Sequence, residues 1–165
     1  MTDSKGELVL ERVFDAPVET VWKYWTEPEY FKKWWGPKDF TCPVAKVDFR
    51  VGGKYHVAMH GPKGTEFDKD LWSTGVYKEI VPMKKIVVTD SFADESGNVV
   101  SATHYGMPDT FPMETTISIT FEEQPSKTKM TLTYPSTEGI EGKMLEDMKQ
   151  GWNQSFDKLA DILEK

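Results

Sequence analysis

Residues 140–163 read IEGKMLEDMKQGWNQSFDKLADIL. Ile140, Met144, Met148, Trp152, Phe156, Leu159 and Leu163 recur at steps of four and three, which places them in one stripe on a 3.6-residue helix. Leu145 and Ile162 widen the stripe. Burial of each large side chain is worth ~1.5–3 kcal/mol, so the stripe must lie against an apolar surface. Gly142 and Gly151 fall inside the run, where each costs ~1 kcal/mol. Close approach of a strand or a ligand would account for Gly151.

The upstream sequence supplies that surface as strands. GELVLERVFDA (6–16) alternates, with Leu8, Leu10 and Arg12 on one side. Val47, Phe49 and Val51 share one parity, and Tyr55, Val57 and Met59 form another run. Strand patterns follow at 71–81, 85–92, 115–123 and 127–134. Ile117, Ile119 and Phe121 alternate with Thr116, Ser118 and Thr120, as expected of a sheet with one buried face. Short turns between successive strands predict antiparallel pairing.

Two short helices precede most of these strands. Pro17 suits a helix start, and Val18, Val21, Trp22 and Trp25 recur at helical spacing. Thr26 and Glu29 have the spacing of a capping box for a second helix, with Phe31, Trp34 and Trp35 on its apolar side and Gly36-Pro37 at its end. The expected fold class is α+β. A curved antiparallel sheet wraps one long C-terminal helix, the helix-grip arrangement, and leaves an apolar space between them. The segment 93–112, ADESGNVVSATHYGMPDTFP, is longer than a usual connection and has the composition of a lid or binding loop.

Composition narrows the function classes. The hydrophobic fraction of 38% and aromatic fraction of 13% exclude a disordered chain. The formal net charge of -7, with scattered basic residues, argues against nucleic acid as a partner. No apolar run approaches the ~20 residues of a membrane span. The start, MTDSKGELVL, lacks the apolar segment of a signal peptide, so a cytoplasmic location is expected. Cys42 is the sole cysteine, which rules out an internal disulfide and a thiolate metal cluster.

The stretch DFRVGGKYHVAMHGPKG (48–64) superficially resembles a phosphate loop. The P-loop pattern would need glycine where Asp48 stands and Ser or Thr where Tyr55 stands. Gly52-Gly53 suits a hairpin or bulge instead, and Gly61-Pro62-Lys63-Gly64 a type I turn. On a strand, His56 and His60 lie ~13 Å apart and cannot share an ion. No metal and no cofactor is expected. Glu11, Asp48, Glu66, Asp90 and Glu114 fall on or beside strands, where burial of one could raise its pKa and make it an acid or base. Arg12 and Arg50 are the two arginines, each able to orient an acidic head group or to form a structural ion pair.

Several stretches together resemble a known family. ERVFDAPVETVWKYWTEPEYFKKWWGP (11–37), DFRVGGKYHVAM (48–59), STGVYKEIVPMKKIVVTDSF (73–92) and GWNQSFDKLADIL (151–163) look like the START-like, birch-pollen-allergen superfamily, within it the proteins related to the activator of heat-shock protein 90 ATPase (AHSA1-like). The resemblance spans nearly the whole chain and implies a single START-like domain over 1–165. It also implies a cavity of the kind that binds lipids, sterols or polyketides elsewhere in the superfamily. The family name adds chaperone contact and a stress-response role.

The leading expectation is non-catalytic binding of a hydrophobic or aromatic small molecule, lipid, polyketide or flavonoid-like. The candidate lining is Trp34, Trp35, Tyr55, Val57, Met59, Trp72, Tyr77, Met113, Met144, Met148 and Trp152, with Arg12 or Arg50 at a polar end. No residue is assigned a catalytic role. The alternatives are a cyclase- or hydrolase-type enzyme using a cavity acid or His104, and a regulator of a chaperone ATPase.

Overall fold

The computed structural model describes residues 6–107, 109–140 and 142–164. Its strands are β1 (Leu8–Phe14), β2 (Thr41–Val47), β3 (Lys54–His60), β4 (Asp70–Val81), β5 (Lys85–Ala93), β6 (Thr115–Gln124) and β7 (Lys127–Tyr134). The helices are α1 (Val18–Thr26), α2 (Pro28–Phe31) and α3 (Lys143–Leu163). All strands join one antiparallel sheet in the order β1-β7-β6-β5-β4-β3-β2. The fold is the expected α+β helix-grip: a curled half-barrel sheet with α3 on its concave side.

Topology explains the short helices. β1 and β2 are neighbours in sequence but lie at opposite edges of the sheet. The segment joining them must therefore cross the sheet, and α1 and α2 are that crossing. Val18, Val21, Trp22, Trp25 and Phe31 turn inward from it and are buried. The concave face adds Leu8, Phe14, Val57, Ile86, Ile119, Met130 and Leu132, each at most 2% exposed. Register shifts at Thr41/Val44 and Tyr77/Glu79 place bulges in β2 and β4, which sharpen the local twist.

Local chemistry departs from the sequence expectations at four places. Thr26 ends α1, with its hydroxyl donating to the Trp22 carbonyl at 3.0 Å, so it does not cap α2. Glu27 caps α2 and Pro28 takes its first position, where a missing N–H costs nothing. β2 stops at Val47, and Phe49 and Val51 belong to the connection to β3. The turn after β3 runs from Pro62 to Thr65, with the Thr65 amide donating to the Pro62 carbonyl at 3.3 Å, one residue later than expected. α3 begins at Lys143, after Gly142 at φ 55°, so Gly142 starts the helix instead of weakening its interior.

The tethers of α3 are unevenly placed. Arg12 pairs with Asp157 at 2.9 Å and donates to the Asn153 carbonyl at 3.3 Å. Lys158 donates to the carbonyls of Phe40 and Pro37 at 3.0 and 3.3 Å. The Gln154 side chain accepts from the Lys38 amide at 3.1 Å. By contrast, the ion pairs of the first half, Lys143–Asp147 and Lys149–Glu146, stay within the helix. Burial follows the same gradient: Phe156 and Leu159 are fully buried, whereas Met144, Leu145, Met148 and Trp152 are half-buried.

Candidate functional site

Between sheet and helix lies a gap lined by Trp25, Phe31, Trp35, Tyr55, Tyr77, Ile86, Val88, Ile117, Ile119 and Trp152. Its volume is about 30 Å³, room for one or two waters. Aromatic rings close it. Phe31 stacks on Trp35 at 4.6 Å, Trp35 meets Trp152 edge-on at 5.4 Å, and Trp25 lies parallel to Trp152 at 6.4 Å. Buried indole N–H groups need partners. Trp34 donates to the Tyr24 carbonyl, Trp25 to the Met130 sulfur and Trp152 to the Tyr134 hydroxyl.

One end of the gap is polar. Tyr55, a lining residue, donates its phenol hydrogen to Asp90 Oδ1. Asp90 lies two residues beyond Val88 on the same face of β5. It keeps some accessible surface, yet it is hemmed in by rings, and desolvation holds its carboxyl up at about 6 despite the opposing Tyr55 bond. Burial together with the Asp90 charge raises the phenols of Tyr55 and Tyr134.

The expected lining residues divide into three groups. Trp35, Tyr55, Tyr77 and Trp152 meet at the gap. Trp34 and Val57 are packed solid with 0% exposure, Met59 sits beside Gly36, and Met144 and Met148 line the half-buried first half of α3. Trp72, Met113, Arg12 and Arg50 are elsewhere. Trp72 is on the outer face, opposite Ala58, and stacks on His56 at 4.5 Å. Met113 is 51% exposed. Arg12 clamps α3, and Arg50 is exposed with Asp48 at 3.0 Å.

The remaining candidates have structural partners. His56 bonds the Asp94 carbonyl at 3.0 Å. His60 holds Asp70 and Asp68 on opposite ring nitrogens at 2.8 Å each, which raises its pKa and leaves neither nitrogen for an ion. His104 is exposed on a 3-10 turn, Ala102–Tyr105, against Tyr105. Among the described residues no His, Cys, Asp or Glu cluster could hold a metal. Burial pushes the Cys42 thiol up to about 11, so it is a packed, unreactive side chain. Residues 93–105 of the long segment after β5 are held by hydrogen bonds: Asp94 accepts from the amides of Ser96 and Asn98, and the Tyr105 hydroxyl donates to the Ala93 carbonyl. A larger hollow of about 390 Å³, lined by Lys46, Val47, Asp48, Lys54, Tyr55, His56 and Thr74 with Ser96 and Gly97, is an open groove of mixed polar and apolar character.

Sequence reasoning missed Trp25, Phe31, Ile86, Val88, Ile117 and Ile119 as lining, although the alternation around Ile117 marked its buried face. Asp90 was visible only as one of five carboxylates, and Tyr134 only as a strand end.

The chain shares its fold with solved bacterial proteins. Protein CV1439 of Chromobacterium violaceum matches at a TM-score of 0.76 and 26% identity, over 96% of this chain and 97% of that one. NE0264 of Nitrosomonas europaea matches at 0.77 and 26%, over 98% and 96%. The AHSA1 protein of Silicibacter pomeroyi has the same fold at 0.74 and 19%, over 96% and 98%. No curated protein matches the chain. No helix among the described residues is long and apolar enough to cross a membrane. The model of the family described as Activator of Hsp90 ATPase homolog 1-like protein matches residues 15–164, and the chain belongs to that family.

Proposed function

We propose that this protein binds a hydrophobic or aromatic small molecule, lipid, polyketide or flavonoid-like, between its sheet and α3, without catalysis. The observation that carries this reading is an aromatic-lined gap beneath a helix whose opening stretch, residues 143–151, has no hydrogen bond or ion pair outside the helix among the described residues, the bond from Trp152 to Tyr134 being the first. The gap of about 30 Å³ is far below the ~150 Å³ that admits benzene, so binding requires the first half of α3 to lift. Met144, Leu145, Met148 and Trp152 are the side chains that would repack on the ligand, and methionine suits that role because it adapts to irregular shapes. The test is intrinsic Trp fluorescence and thermal shift against lipids, flavonoids and polyketides. Saturable quenching with a raised melting temperature is expected. If no apolar compound moves either signal, the reading fails.

A second reading, a cyclase- or hydrolase-type enzyme, is favoured by one observation: the Asp90 carboxyl, held at about 6 next to the lining residue Tyr55. Turnover of a bound compound that Asp90→Asn abolishes would establish it. The chaperone reading rests on the family name alone, and an unchanged rate of chaperone ATP hydrolysis on adding this protein would remove it.

A further inference from the structure

The chemistry of the ligand's polar end follows from the groups beside the gap, given the binding reading above. Asp90 Oδ1 is taken by Tyr55, while Oδ2 has no protein partner among the described residues and is not sealed from solvent. The Tyr134 hydroxyl accepts from Trp152 Nε1 at 2.9 Å, and its own hydrogen has no acceptor among the described residues. Asp90 and Tyr134 stand on either side of β6, where Asp90 pairs with Thr115 and Thr133, the neighbour of Tyr134, pairs with Ser118. An open acceptor and an open donor therefore each stand behind a residue that lines the gap, Asp90 behind Tyr55 and Tyr134 behind Trp152.

Cationic groups are missing from that end. Arg12 is engaged by Asp157 and Arg50 by Asp48, and no Lys or Arg lines the gap. An anionic head group would meet the Asp90 carboxylate with no compensating charge, a costly arrangement away from water.

We infer that the site selects a neutral aromatic molecule bearing a hydroxyl, whose O–H donates to Asp90 Oδ2, with the open Tyr134 hydroxyl offering a second polar contact. A hydroxyl can pair with either group. An unsubstituted ring satisfies neither, and a carboxylate is repelled. This reverses the expectation of an arginine-held acidic head group.

The experiment is titration calorimetry of the full chain at pH 7.5 with naphthalene, 2-naphthol and 2-naphthoate. 2-Naphthol should bind at least about tenfold more tightly than either, since a hydrogen bond to a charged group is worth about one decade or more. Asp90→Asn preserves shape and the Tyr55 contact but places a donor where the acceptor stood, so that preference should collapse. Tyr134→Phe should reduce it independently if the asparagine variant does not fold. Equal binding of naphthol and naphthalene, or a preference unchanged in both variants, overturns the inference and leaves the binding reading standing. Tightest binding of 2-naphthoate also overturns it. Failure of all three to bind overturns both.

Discussion

Tyr55 reaches across Gly75 to place its phenol hydrogen on Asp90. The two residues belong to β3 and β5, and the strand between them, β4, puts Gly75 directly opposite Tyr55. A Cβ on Gly75 would lie 1.8 Å from the Thr89 carbonyl oxygen and 2.5 Å from Tyr55 Cε2. The missing side chain is thus the passage through which the tyrosine ring crosses the strand.

Gly75→Ala should accordingly destabilise the protein by about 2–4 kcal/mol, because a backbone oxygen has to move as well as a ring. Urea denaturation measures the loss. An unchanged midpoint would show that β4 relaxes freely and that glycine is not required for the crossing.

Gly151 predicts the opposite sign. A Cβ there meets Pro37 Cγ at 3.5 Å, an ordinary contact, and the residue is inside α3. Among the described residues, its nearest neighbour is Pro37 of the connection before β2, and no strand presses on it. Gly151→Ala should stabilise the protein by about 0.5–1 kcal/mol through helix propensity. A lower melting temperature would mean that the methyl obstructs the seat of α3.

How far the sequence carries the site depends on which physical signal each residue leaves. The stripe from Met144 to Leu163 has a period, and a period dictates a face, so α3 and its partner sheet were legible. Trp72 was legible too, but the signal is parity: it is five residues from Tyr77, so the two side chains point to opposite faces of β4, and Tyr77 is the inward one. Size and aromaticity alone made Trp72 resemble lining. The Tyr55–Asp90 bond leaves no such trace, because it spans 35 residues and depends on register across three strands and on one absent side chain. The narrowness of the gap likewise reflects how Trp25, Trp35 and Trp152 interlock, which composition cannot encode.

The bond from Trp152 to Tyr134 marks where the tethered part of α3 begins. Tyr134→Phe strands a half-buried indole N–H, at a cost of about 0.5–1.5 kcal/mol. Hydrogen exchange should quicken in residues 143–151 and change little in 156–163, where Arg12 and Lys158 still hold the helix. Uniform quickening along α3 would show that the helix moves as one piece, against entry of a ligand beneath its first half.

Asp90 gives a prediction whose sign changes nothing at low pH and matters at neutral pH. Its carboxyl titrates near 3.8 when solvated and at about 6 in the fold, because burial disfavours the charge. Below about pH 3 the group is protonated in both states and costs nothing. As pH rises from about 4 to 6, the unfolded chain ionises first, so folding stability falls, and the full penalty stands above about 6. Tyr55 and Tyr134, which face Asp90, have their phenols raised and stay neutral across this window. Asp90→Asn keeps an acceptor for Tyr55 without the charge. The variant should therefore be more stable than the parent by about 1–3 kcal/mol at pH 7.5, and the two should converge by about pH 3. Paired urea denaturations at both values measure the difference. A gap of the same size at both would show that the asparagine acts by packing, and that the carboxylate beside Tyr55 is not held against its charge.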